Sequence, residues 1–236
     1  MRQRVEKFFK YKSLENIEYI IDMVKNNRIY VPKVSQLNDP LEGICNMNFG
    51  FAGCSYYVDT GTVHPHYDSV RNSYGVLSLT TRKDSIVMWT HYAGGFNGIC
   101  VEFENMGSFI TAEPVTYTKE LLDSKKIGDS FDIIAYNSLR RKATEWSYED
   151  EYRIIRKIDS AASKYINLKQ GEIKCIYIGY MVENDTKVLL DRCCDTMGIE
   201  TKVVFVTPYK YSIQAISLKQ YMDNFKQYNG GVYRCG

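Results

Sequence analysis

Neither sign of charge dominates this chain. Its 236 residues carry 30 lysines and arginines against 28 aspartates and glutamates, a net charge of +2. No global field draws it toward nucleic acid or a membrane, so any such contact needs a local patch. No run approaches the roughly 18 consecutive apolar residues of a membrane span. The opening MRQRVEKFFKYKS is charged and lacks a long apolar stretch, so a secretory leader is not expected. The seven cysteines are an odd number and no CxxC occurs, which points to reduced thiols in a cytoplasmic protein. Cys45, Cys54, His64 and His66 match no standard zinc-finger spacing, and no metal is expected. GxGxxG after a strand, a Walker loop, a nucleophile elbow and a DxD or HD arrangement are all missing.

What is present is a soluble globular composition with enough apolar residues, 44%, for a sizeable core. The length suits one domain spanning 1–236, with a loop-rich insertion at 44–74 and a weakly ordered tail. The 20 tyrosines suit both strands and surfaces that contact ligands.

Periodicity places strands at 7–12, 75–81, 151–158, 173–182 and 201–206, a glycine-rich turn entering a strand over 94–105, and shorter extended pieces at 28–34, PVTYT and SIQAISL. Ser13 is expected to cap a helix carrying Leu14, Ile17, Ile21 and Val24. Asp84 is expected to cap SIVMWTHYA, and Asp129 or Ser130 to open a helix running from Phe131 to near Trp146. On that reading the basic residues Arg140, Arg141 and Lys142 form a solvated helix face. A further helix starts at Asn184 or Asp185 and stops at Gly198. Strands outnumber helices without strict alternation. The expected fold is therefore α+β, a mixed or antiparallel curved sheet flanked by helices.

Four polar and aromatic clusters stand far apart in sequence: Lys10-Tyr11, Asn38-Asp39-Pro40 with Glu42, Trp89-x-His91-Tyr92, and Trp146-x-Tyr148-Glu149-x-Glu151-x-Arg153. If 149–153 is a strand, Glu149, Glu151 and Arg153 share one face. Such a row is costly to bury unless the charges pair, and it is also a way to build a polar site. The acids can salt-bridge Arg153 and Lys142, the tryptophans can be core anchors, and Asn38-Asp39-Pro40 can be a turn.

The order KY, NDPLE, SLT, MWTHYA, GICVEF, EWSYEDEYR and IYIG resembles the bacterial proteins catalogued as domain of unknown function 2971, over about Lys10 to Gly179. More faintly, the aromatic strand followed by Ser-Leu-x-Asn-Ile is similar to ADP-ribosyltransferases of the DarT type. That resemblance implies an ADP-ribosyltransferase-like core with NAD as substrate. It also implies a nucleic-acid or protein acceptor and a toxin or phage-defence setting, with a cognate antitoxin or defence partner. Glu151 would be the catalytic carboxylate that stabilises a ribosyl cation, with Glu149 and Arg153 positioning it. Lys10, Tyr11, Asn38, Asp39, His91, Tyr92 and Tyr148 would line the cofactor pocket. The chain departs from the transferase pattern in carrying Lys10-Tyr11 where many transferases have histidine. The alternatives are a metal-dependent nuclease using paired acids with Asp39, and a non-catalytic nucleotide- or partner-binding module.

Overall fold

The computed structural model describes residues 5–46, 49–51, 54–56, 65–123 and 130–229. β1 (Lys7–Ser13), α1 (Ile17–Asn26) and β2 (Arg28–Tyr30) come first. β3 (Cys45–Asn46), β4 (Phe49–Phe51) and β5 (Cys54–Tyr56) precede α2 (Pro65–Asn72), β6 (Tyr74–Thr80) and α3 (Ile86–Tyr92). β7 (Gly98–Glu104), β8 (Glu113–Pro114), β9 (Thr116–Thr118) and β10 (Leu122–Asp123) lead to α4 (Phe131–Ser138). β11 (Arg141–Ala143), β12 (Glu151–Lys157), β13 (Tyr165–Asn167) and β14 (Ile173–Gly179) follow. α5 (Asn184–Asp195), β15 (Glu200–Val206), β16 (Ile213–Ser217) and α6 (Leu218–Asn229) complete the described elements. The fold is α+β with a mixed sheet.

The chain divides into two compact units. One holds the residues up to Arg28, Thr81–Ser108 and those from Leu168 onward; the other holds Ile29–Thr80 and Phe109–Asn167. The boundaries fall inside β2 and directly after β6 rather than at linkers, so composition gives no sign of them.

In the first unit the strand order is β16-β15-β14-β7-β1. β14 and β15 run parallel, and the other neighbours are antiparallel. Ile99, Val101 and Phe103 alternate onto one face of β7, as their spacing predicts, and are buried together with Phe8 of β1 and Ile176 and Ile178 of β14. α5 packs on β15, α6 on β15 and β16, and α3 on β1 and β7. α1 buries Ile20, Met23 and Val24 and ends where Asn27 turns left-handed at φ 45°. Phe96, at φ 67° in the glycine-rich turn before β7, stacks on the fully buried Trp89. The backbone comes so close there that a Cβ at Gly179 would collide with the Phe96 carbonyl.

In the second unit β12 pairs antiparallel with both β6 and β8. β9 and β11 form a separate parallel pair. α2 and α4 pack together over a core of Val34, Tyr67, Tyr74, Val76, Leu122, Ile134, Ala135 and Leu139.

Several expectations about element ends differ from the structure. Ser13 is the last residue of β1; helix α1 begins at Ile17, and its preceding residue, Asn16, makes no side-chain cap. Ser85, not Asp84, caps α3, its hydroxyl accepting the Met88 N–H at 3.3 Å. α4 stops at Ser138 instead of reaching Trp146, because residues 141–143 leave the helix to pair with β9. Within 44–74 the chain is not all loop: α2 buries Tyr67, whose hydroxyl donates to the Gly43 carbonyl at 2.7 Å. Residues 219–229 of the expected weak tail lie in α6, and 230–236 lie outside the described residues. No helix among the described residues is long and apolar enough to cross a membrane.

Candidate functional site

The site is assembled from four short pieces of the second unit. The first is the loop after β2. Asp39 Oδ1 accepts the Leu41 N–H at 2.9 Å and its carbonyl accepts the Glu42 N–H at 3.1 Å. This Asx turn, set by Asn38-Asp39-Pro40, delivers Glu42 to the interior. Asp39 is buried as part of the turn and Asn38 is exposed. The second piece is β11, which contributes Lys142. The third is a 3-10 turn, Thr144–Glu149, carrying Trp146, Tyr148 and Glu149. The fourth is β12, with Glu151 and Arg153 on one face.

Glu149 is not on that strand. Asp150 takes a left-handed conformation at φ 46°, which aspartate tolerates better than most side chains, and the strand begins only at Glu151. The 3-10 turn nevertheless brings the Glu149 carboxylate to the same cluster.

Arg153 is the centre and is 2% exposed. Its Nε donates to Glu151 Oε1 at 2.8 Å, and Nη2 to Glu151 Oε2 at 2.9 Å and Glu42 Oε1 at 2.6 Å. Nη1 donates to Glu42 Oε2 and to the Leu139 carbonyl, both at 2.7 Å. A guanidinium has five N–H donors, and here all five are engaged, with two forked carboxylate pairs. Lys142 donates to Glu149 Oε2 at 2.7 Å and lies 3.4 Å from Glu151 Oε2 and 3.7 Å from Glu42 Oε1. Its ammonium sits 4.7 Å from the centroid of the half-buried Trp146 ring. The Glu151 N–H donates to the Tyr117 hydroxyl at 2.8 Å, and Thr80 donates to the Glu149 carbonyl.

Three carboxylates and two cations thus lie together out of water. Burial alone would raise the Glu151 carboxyl, but the Arg153 guanidinium, Lys142 and the Ser78 hydroxyl outweigh it and hold the group at about 2. For Glu42 burial wins over Arg153 and, with the neighbouring Glu151 charge, pushes the carboxyl up. Burial would lower Lys142, yet Glu151, Glu149 and Glu42 raise it. Glu42, Lys142 and Tyr117 are the residues that the proposed catalytic and cofactor-binding sets leave out. Their only sequence signals are the NDPLE turn and the basic triplet 140–142. Of that triplet Lys142, on β11, turns inward, whereas Arg140, just before β11, stays at the surface and pairs with Glu113 at 2.8 Å.

Tyr148 is half-buried, with its ring 6.1 Å from Trp146. Lys10, Tyr11, His91 and Tyr92 belong to the first unit. Lys10 and Tyr11 are neighbours on β1 and so face opposite sides of the sheet, Lys10 opposite Val101 and Tyr11 opposite Cys100. They cannot line one pocket side by side. Tyr11 is a core residue: its hydroxyl donates to the Arg82 carbonyl at 2.9 Å and its ring meets Trp89 edge-on. His91 is exposed and Tyr92 half-buried, with ring centroids 6.3 Å apart. Among the described residues no three His, Cys, Asp or Glu side chains form a metal-ligand group. Glu42, Glu149 and Glu151 converge on cations of the chain itself. Of the four residues considered as zinc ligands, His64 and the Cys54 side chain lie outside the described residues. No family model matches the chain, and comparison with curated proteins and with solved structures likewise finds no match.

Proposed function

We propose that this chain is a partner-binding module whose charged centre is a scaffold and not a reaction site. The observation behind this reading is the saturation of Arg153 and Glu151. Every guanidinium donor and both Glu151 oxygens are engaged by groups of the chain itself, and both side chains are almost wholly buried. A carboxylate that stabilises a ribosyl cation has to reach the sugar, and a guanidinium that holds a pyrophosphate needs donors to give. Neither group has that freedom here. The network instead ties the NDPLE loop, the end of α4, β11 and the start of β12 to one point. It gives the unit a fixed geometry on which surface loops can be presented.

A second reading, NAD-dependent ADP-ribosyl transfer to a nucleic acid or a protein, draws on a different observation. Three carboxylates face two cations, and Glu151 is held ionised. A fixed excess of negative charge suits a cationic transition state. On this reading Lys142 and Trp146 swing aside to admit NAD.

One experiment separates the two. The wild-type protein and Glu151→Gln are incubated with NAD and with single-stranded oligonucleotides or a protein extract, and products are read by mass. The scaffold reading expects no NAD-dependent mass change and a less stable Glu151→Gln. A product made by the wild type and lost in a folded Glu151→Gln would overturn it in favour of transfer.

A further inference from the structure

The β15–β16 hairpin of the first unit has three features that the charged centre does not account for. First, β16 is the terminal strand of its sheet, and its other edge has no backbone partner among the described residues. Its five residues, Ile213-Gln214-Ala215-Ile216-Ser217, include no proline and no charge. Edge strands are ordinarily protected by lysine, proline, a bulge or a covering element; α6, which follows β16 directly, packs against it but makes no backbone hydrogen bond to its outer edge among the described residues. Second, the loop closing the hairpin presents Tyr209 and Tyr211, both fully exposed, on either side of the exposed Lys210. Tyr209 is held at φ 62°, a conformation that costs a bulky side chain energy and recurs at functional sites. Third, no acidic residue occurs between Glu200 and Asp223, while Lys202, Lys210 and Lys219 do; Asp223 stands one helical turn after Lys219, so Lys210 is the cation furthest from an acid in this stretch of sequence. Lys202 pairs with Glu200 at 2.9 Å, whereas Lys210 and Lys219 are exposed.

We infer that β16 is a docking strand for an extended acidic peptide of a partner protein. The peptide adds to the sheet edge by backbone hydrogen bonds, with Lys210 and Lys219 matching its carboxylates and Tyr209 and Tyr211 covering its apolar positions. The open edge decides between partner classes. A row of alternating N–H and C=O groups matches another peptide backbone, whereas a phosphodiester chain has no donors to pair with it. The bias in charge selects an acidic peptide over a second copy of this hairpin, which would bring lysine against lysine.

This inference rests on the partner-binding reading and is tested without NAD. The probe is a fluorescein-labelled peptide of alternating valine and glutamate, about ten residues long, which covers one strand. Binding to the full chain is followed by fluorescence anisotropy, with an alternating valine–lysine peptide as control. The acidic peptide is expected to bind about tenfold or more tightly than the basic one, and Lys210→Glu with Lys219→Glu should reverse that order. Tyr209→Ala with Tyr211→Ala should weaken binding with no change in the thermal melt. Ala215→Pro should abolish binding by blocking the edge. If that variant misfolds, the lysine reversal, which changes only exposed side chains, carries the test alone. Equal binding of both peptides, binding unmoved by the lysine reversal, displacement of the peptide by a single-stranded oligonucleotide, or self-association through β16 would each overturn the proposal. Those outcomes leave the scaffold reading standing, because only NAD turnover lost with Glu151 removes that one.

Discussion

Replacing Arg153 with leucine tests the centre of the second unit most directly. The wild-type guanidinium makes five hydrogen bonds, four of them to Glu42 and Glu151. Without it, the two buried carboxylates keep Lys142, which lies 3.4 and 3.7 Å from them and is already engaged by Glu149 at 2.7 Å, and Glu151 keeps the Ser78 hydroxyl. Removing one partner of a buried pair costs about 3–5 kcal/mol, a large share of a typical domain stability of about 5–15 kcal/mol. For a chain of this length that is a fall of roughly 6–20 °C in Tm. Arg153→Lys should lie between, since lysine keeps the charge but has three donors where five are engaged. The decisive variant is Glu42→Leu, Glu151→Leu and Arg153→Leu together. It removes the whole forked pair, leaves Lys142 on Glu149, and should recover most of the single variant's loss. Thermal and urea unfolding followed by circular dichroism at pH 7 measure all three. A single substitution costing under about 1 kcal/mol, the range of an exposed pair, would refute the reasoning, as would a triple variant no better than the single one.

The acid limb of stability should carry the signature of Glu151. Its carboxyl is held at about 2 against an ordinary 4.5, so its contribution is complete above pH 4.5 and is lost as pH falls toward 2. Glu151→Gln should flatten that limb by on the order of 3 kcal/mol in urea titrations across the range. Glu42 runs the other way: burial raises its carboxyl, so ionisation costs stability as pH rises through the ordinary range, and Glu42→Gln should be milder at pH 7 than Glu151→Gln. Cys100, Cys175 and Cys194 are buried free thiols, and burial pushes Cys175 and Cys194 up to about 12. Under native conditions at pH 7 all three should resist a maleimide while the half-buried Cys193 reacts, as peptide mapping would show. Trp89→Ala, which empties the space between Tyr11 and Phe96, should cost about 3–5 kcal/mol by the same unfolding assay.

The strands of the first unit could be read from the chain because their signal is local. Ile99, Val101 and Phe103 recur at every second position, with Cys100 and Glu102 between them, and that period of two is the strand itself. Gly198, left-handed at φ 67°, stops the turn after α5 for an equally local reason. The end of α4 was not legible in this way. Arg140, Arg141 and Lys142 continue a helical spacing, but parallel pairing of Arg141–Ala143 with Thr116–Thr118 overrides it. That pairing joins residues about 25 positions apart, and no short window contains it.

The charged run at 145–155 posed a question of pairing that its own residues could not answer. Glu151 and Arg153 lie two apart on a strand, so their contact is encoded locally. Two residues give only half of what a buried guanidinium requires. Two of its five donors go to Glu151; the other three need acceptors, and whether these come from the chain or from a ligand separates scaffold from site. The acceptors are Glu42, 111 residues away, and the buried Leu139 carbonyl at the end of a helix whose last turn the periodicity misplaces. Asp150 adds a local effect that the period of two does not show: by turning left-handed it ends the 3-10 turn before β12, so Glu149 reaches Lys142 from that turn and not from the strand. Charge density alone marks where a network will form. The groups that complete it are distant ones, Glu42 of the NDPLE turn and the Leu139 carbonyl, and together they engage the donors of Arg153 that Glu151 leaves.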